Sequence, residues 1–161
     1  MNAQLAVSKP KKKRVRVIVI AAIRNGESLL VSKIVDRISG EVVYRPLGGA
    51  VEFGERCADT LKRELMEEIG AEISITRYRG LIENIFEFEG KKRHEIVIVY
   101  SAEFTDPKLF LKKRFKRLDS DTLLNAEWLS FNQFGKDGEK LAPKGLYQLL
   151  LVEDITYPEI R

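Results

Sequence analysis

Apolar residues along this chain gather into short dense runs separated by turn chemistry, and the spacing changes to a helical one in only two stretches. The first run, Val15 to Ile23, is followed by Asn25-Gly26, a dipeptide that closes tight hairpins, and by a second run from Ser28 to Val35. Two antiparallel strands are expected there. A third strand, Val42 to Arg45, is introduced by Gly40 and stopped by Pro46. From Cys57 to Ile69 the period shifts: Ala58, Leu61, Leu65 and Ile69 recur at helical spacing, with Gly70 placed to end the helix. Ile73 to Phe88 and His94 to Phe104 return to β character around Glu89-Gly90-Lys91-Lys92, a second hairpin. Ala126 to Leu129 reads as a short strand, and Pro143 to about Val152 as a final helix. Strands on both sides of a central helix, with a helix at the end, predict the α/β (α+β) class and a mixed sheet between helices.

Composition narrows the picture without changing it. A chain of 161 residues, 44% hydrophobic, is sized for one domain, which we place at residues 14–161. Residues 1–13 are polar, basic and proline-containing, and are expected to be disordered. The formal charge of +4 belongs to that end: Lys9, Lys11, Lys12, Lys13, Arg14 and Arg16 are six of 28 basic residues, and without them 22 face 24 acids, about −2. Basicity therefore does not argue that the domain binds nucleic acid. Pro10 to Val15 also has the form of a nuclear-import signal, against the plainer reading of a solvated tail. The single cysteine, Cys57, excludes an intramolecular disulfide and fits a reducing, cytoplasmic setting. No apolar run approaches the 20 or so residues that span a bilayer, so no membrane partner is expected.

The candidate chemistry sits in one segment, GAVEFGERCADTLKRELMEEIGA, from Gly49 to Ala71. On a helix, Glu64, Glu67 and Glu68 stand at i, i+3 and i+4 and share one face. Like charges so placed cost a helix roughly 0.2–0.5 kcal/mol per pair. A bound hard cation is the simplest reason to keep them. The order Gly49, five residues, Glu55, seven residues, Arg63-Glu64-Leu65, one residue, Glu67-Glu68, one residue, Gly70-Ala71 resembles the Nudix box of the Nudix hydrolase superfamily at every fixed position. That resemblance implies a Nudix-type α/β/α sandwich. It also implies Glu64, Glu67 and Glu68 as catalytic and metal-holding residues, with the carbonyl of Gly48 as a further ligand. Gly49, Glu55, Arg63 and Gly70 become supports of the site, Glu55 and Arg63 as an ion pair between loop and helix. The chain departs from the family's pattern at Leu47, where a proline usually precedes the paired glycines.

Cleaving a diphosphate requires its charge to be neutralised, water to be placed in line with phosphorus, and a base for the water's proton. Mg²⁺, or Mn²⁺, on carboxylates meets the first need and helps with the second. The base stays open among Glu64, Glu67, Glu95, Asp119, Asp121 and Glu127. Arg45 is a candidate for substrate phosphate, and Phe53, with Tyr44, Phe86 and Phe88, for stacking on a base, although aromatics in strands are more often core. The stretch after the box carries neither the proline of ADP-ribose-preferring members nor the tyrosine of those that cleave dinucleoside polyphosphates, and no coenzyme A or NADH signature. Lys108 to Arg117 forms a second basic cluster interleaved with apolar residues. It reads as a snorkelling surface segment, or as an attractor for RNA. His94 and Cys57 read as structural. The expected activity is metal-dependent hydrolysis of a phosphoanhydride in a small-molecule nucleoside diphosphate linked to a moiety X. The alternatives are a non-catalytic binding or regulatory module of the same fold and an RNA 5′-end pyrophosphohydrolase. A homodimer is compatible with the resemblance.

Overall fold

In the computed structural model, residues 13–116, 125–135 and 137–152 are described. Eight strands and two α-helices follow in the order β1 (Arg16–Asn25), β2 (Ser28–Val35), β3 (Val42–Arg45), β4 (Gly48–Ala50), α1 (Cys57–Ile69), β5 (Ile73–Phe88), β6 (Lys91–Phe104), β7 (Arg114–Phe115), β8 (Ala126–Ser130) and α2 (Leu146–Leu151). The sheet runs β5-β6-β1-β2-β8-β7, with β3 added to β2 and β4 to β1. β1 and β6 pair in parallel over eight residues, and every other named pair is antiparallel, so the sheet is mixed as expected.

The alternation of β1 builds two cores at once. Val19, Ala21 and Ile23 face α1, where Leu61 and Leu65 are fully buried. Ile18, Ile20 and Ala22 face the other way, toward Leu146 and Leu150 of α2 and Phe131. An α/β/α sandwich results. Each fully buried leucine contributes about 1.5–3 kcal/mol through removal from water, which locks α1 onto the sheet and fixes its carboxylate face. Gly70 ends α1 in the left-handed conformation, at φ 66°, with its N–H on the carbonyl of Met66.

Three elements differ from expectation. β6 begins at Lys91 rather than His94, because Phe88 pairs with Lys91 and Glu87 with Lys92, which leaves Glu89-Gly90 alone as the turn. The last helix starts at Leu146 because Gly145 sits at φ 95°, outside helical space, and it ends at Leu151. β4 was not foreseen, since a three-residue strand containing two glycines carries no hydrophobic pattern; its pairing with Ile18, Val19 and Ile20 creates it. Residues 1–12, with most of the expected tail and half of the Pro10 to Val15 motif, lie outside the described residues, as do Asp119 and Asp121. Among the described residues no helix is long and apolar enough to cross a membrane.

Candidate active site

The site is organised by Arg63, whose five N–H donors all find acceptors. Nε and Nη2 grip the two oxygens of Glu55 at 2.8 and 2.9 Å. Nη1 meets Glu64 at 2.9 Å and Glu67 at 3.2 Å, and Nη2 also reaches the carbonyl of Ala50 at 3.4 Å. One guanidinium thus joins the loop, the helix and β4. The hydroxyl of Thr60 donates to Glu55 at 2.6 Å, and the backbone N–H of Glu52 donates at 3.4 Å. The bonds from Arg63 first, then Thr60, hold the Glu55 carboxyl down at about 2, against an ordinary value of 4.5. The same pairing raises the affinity of Arg63 for its proton.

The three glutamates of the helix face are graded by burial. Glu68 is 4% exposed and accepts from the backbone N–H of Gly48 at 3.2 Å; the side chain of Glu64 is 18% exposed and that of Glu67 54%. The paired glycines are sterically required here. A Cβ on Gly48, at φ 147°, would fall 2.0 Å from the Val19 carbonyl oxygen, and one on Gly49 would fall 2.1 Å from the carboxyl carbon of Glu64. β4 therefore passes within contact of the carboxylates it serves. Leu47 contributes burial in the core below α1, and its carbonyl accepts from the N–H of Ala21 at 2.9 Å.

As a donor set these carboxylates suit a hard divalent cation, because all are oxygen ligands on adjoining turns of one helix. Among the described residues no three acidic, histidine or cysteine side chains are already assembled as a cluster that would hold one, since Arg63 draws Glu64 and Glu67 to itself while Glu68 turns to Gly48.

Beside this centre lies a cavity of about 930 Å³ walled by β3, the β5–β6 hairpin and residues 139–148. Arg45 stands at its edge, donating to the buried Glu95 at 3.3 Å, with Arg16 3.7 Å from the other Glu95 oxygen. Burial lowers the proton affinity of Arg45, while attraction to Glu95 and Glu68 acts in the opposite sense. Arg45 thus lines the cavity and also feels the charge of Glu68 on α1, the weakest of these influences. Phe86 and Phe88 line the cavity, whereas Tyr44 packs edge-on against Phe134 in the core and Phe53 is fully exposed on the loop before α1.

Several residues were missed by reasoning from sequence. Thr60, Asn84 and Arg93 have no pattern that marks them. Asp36 has one, as an acid opening a turn with Ser39-Gly40: its carboxylate takes the N–H groups of Ile38, Ser39 and Glu89 at 2.8–2.9 Å, tying the β2–β3 turn to the tip of the β5–β6 hairpin. These bonds, that from Ser39 foremost, lower its pKa. Of the remaining candidates, Glu127 pairs with Arg114 at 3.5 Å, and His94 meets Glu83 across the hairpin at 2.9 Å. Cys57 packs against the core under α1. In the basic segment Phe110 stacks on Trp128 and Phe115 is buried, so its aromatics anchor it to the sheet.

The sequence model of the NUDIX domain matches residues 12–150. The NAD-capped RNA hydrolase NudC of Yersinia enterocolitica is 30% identical over 136 residues, covering 84% of this chain and 45% of that protein. The NudC of Pectobacterium carotovorum is 29% identical over the same shares. The chain thus spans less than half the length of these curated relatives. Among solved structures, a MutT NUDIX hydrolase from Burkholderia pseudomallei superposes with a TM-score of 0.60 at 20% identity, over 87% of this chain and 99% of the other. The E. coli ORF135 protein gives 0.54 at 22%, over 86% and 88%. At such identities the likeness speaks to the fold.

Proposed function

The chain belongs to the NUDIX domain family, and from that premise we propose that it hydrolyses a phosphoanhydride bond in a nucleoside diphosphate linked to a moiety X, with water as nucleophile and a divalent cation, Mg²⁺ or Mn²⁺, as cofactor. The observation that carries the reading is the Arg63 hub: a single guanidinium holds Glu67 and also Glu64, which lies against Gly49, while Glu68 lies on the Gly48 N–H. Glu64, Glu67 and Glu68 would hold the cation, and the carbonyl of Gly48 would join them. The cation supplies neutralisation of phosphate charge and polarisation of water. Arg63 and Glu55 keep the loop and helix in register. Arg45 contacts a phosphate oxygen from the cavity side, with Glu95 holding it there. The proton acceptor is one of Glu64, Glu67, Glu95, Asp119, Asp121 and Glu127, of which Asp119 and Asp121 lie outside the described residues.

A second reading is an RNA 5′ end joined through a diphosphate. It is favoured by the name of the matched relatives and by the exposed cations of residues 108–116. Steep loss of RNA binding with salt would support it. The test for the main reading is a panel of nucleoside diphosphate conjugates incubated with Mg²⁺, products being assigned by phosphorus NMR for the wild type and Glu68→Gln. Cleavage by the wild type alone is expected. Equal turnover by both would remove Glu68 from the reaction, and no turnover by either, with metal binding intact, would favour a binding module.

A further inference from the structure

The cavity beside Arg45 is arranged in rows, because residues paired across the parallel and antiparallel ladders share a face of the sheet. Asn84, Glu95 and Arg16 form one row across β5, β6 and β1, and Phe86 with Arg93 forms the next; Phe88 begins a third. Each row is displaced from the last by two strand residues, roughly 7 Å. The charged row is the one that holds Arg45. Moving along the hairpin away from it, the wall becomes aromatic.

We propose that this cavity is the subsite for the nucleoside end of the substrate, with the phosphate attached to that nucleoside on Arg45 and the base against Phe86. The inference rests on the hydrolase reading above and adds which end of the substrate enters the cavity. Its size, about 930 Å³, is at the upper end of the roughly 300–1,000 Å³ of small-molecule sites, far more than a phosphate group needs. The aromatic faces are available: among the described residues neither Phe86 nor Phe88 has a ring partner. Among the described residues, three of the five carboxylates in the wall are engaged, with Glu87 and Glu139 the others. Asp36 takes three backbone N–H groups, Glu41 pairs with Lys140, and Glu95 lies between two arginines. Asn84 in the charged row offers an amide that can both donate and accept at a polar edge. The Asp36 bonds also tie the hairpin tip down, so the aromatic wall stands in place before a ligand arrives.

The experiment is calorimetric titration of the full chain, without metal, with the four ribonucleoside 5′-monophosphates, ribose 5-phosphate and glucose 1-phosphate. At least one nucleotide is expected to bind tenfold or more tighter than either sugar phosphate. Phe86→Leu, which keeps apolar volume and removes the π face, is expected to erase that margin, as base stacking on an aromatic is worth about 1–3 kcal/mol. Phe86→Tyr restores it, which separates stacking from a folding defect. Sugar phosphates binding as tightly as the nucleotides, a margin unchanged in Phe86→Leu, or binding of none of the probes would each overturn the assignment. Parallel turnover assays keep the two readings apart. Hydrolysis with a margin insensitive to Phe86 removes only the cavity assignment, while a Phe86-dependent margin without hydrolysis removes only the enzymatic one.

Discussion

Arg63 and Arg45 are the same side chain put to opposite ends in neighbouring regions. Around Arg63 every donor is matched, with five acceptors drawn from the loop, the helix and β4. Around Arg45 the guanidinium is more buried, holds one hydrogen bond among the described residues, to Glu95, and faces a cavity. A saturated cation is a structural joint, since no donor is left for a ligand without breaking a bond already made. A cation with spare donors at a cavity wall is a receptor. On the proposed function, the difference separates a region that would shape the metal-holding face from one that would receive substrate.

That contrast can be broken first at the joint. Arg63→Lys retains charge but not the fork, and should lower kcat by about 10–100-fold, the scale of losing a partner that orients metal ligands, with KM little changed. Steady-state kinetics at saturating Mg²⁺ measures it. Gly49→Ala pushes on the same joint from β4, because the new methyl must displace the Glu64 carboxylate; kcat should fall about tenfold while circular dichroism stays as in the wild type. Arg45→Lys should show the opposite division, KM rising about fivefold for loss of a charge-assisted bond and kcat moving less. If Arg45→Lys and Arg63→Lys changed kcat alike, the division between joint and receptor would fail.

The smallest expected effect is in acid. The folded-state pKa of Glu55 lies at about 2, below its ordinary 4.5, so its bonds stabilise the fold above about 4.5 and that contribution disappears as pH falls through about 2. Thermal midpoints of wild type and Glu55→Gln should differ near neutral pH and converge toward pH 2. Parallel curves throughout would show that the pairing carries no net stability.

The joint was legible in the sequence, whereas for the receptor only single candidates, Arg45, Phe86 and Phe88 among them, could be named and not their assembly, for a physical reason. Leu61, Leu65 and the glutamates of α1 lie within a few turns of one helix, so spacing alone sets their faces, and Glu55 is eight residues from its partner. The two sheet faces could likewise be foreseen from the alternation in β1. The cavity is assembled from β3, the β5–β6 hairpin and residues 139–148, regions up to about a hundred residues apart, as the Glu41–Lys140 pair shows. Its rows depend on ladder register and on the Asp36 tie between two turns, neither of which a local pattern encodes. Phe53 and Phe86 illustrate the cost: both are aromatics near the box or its following strand, yet one projects from an exposed loop and the other faces the cavity.

The most direct test is a titration of Mg²⁺, with Mn²⁺ as a spectroscopic substitute, into wild type and into folded Glu68→Gln. Binding by the wild type that is lost or weakened at least tenfold in Glu68→Gln is the predicted result. The same affinity in both proteins would contradict the claim that the graded glutamates of α1 hold the metal.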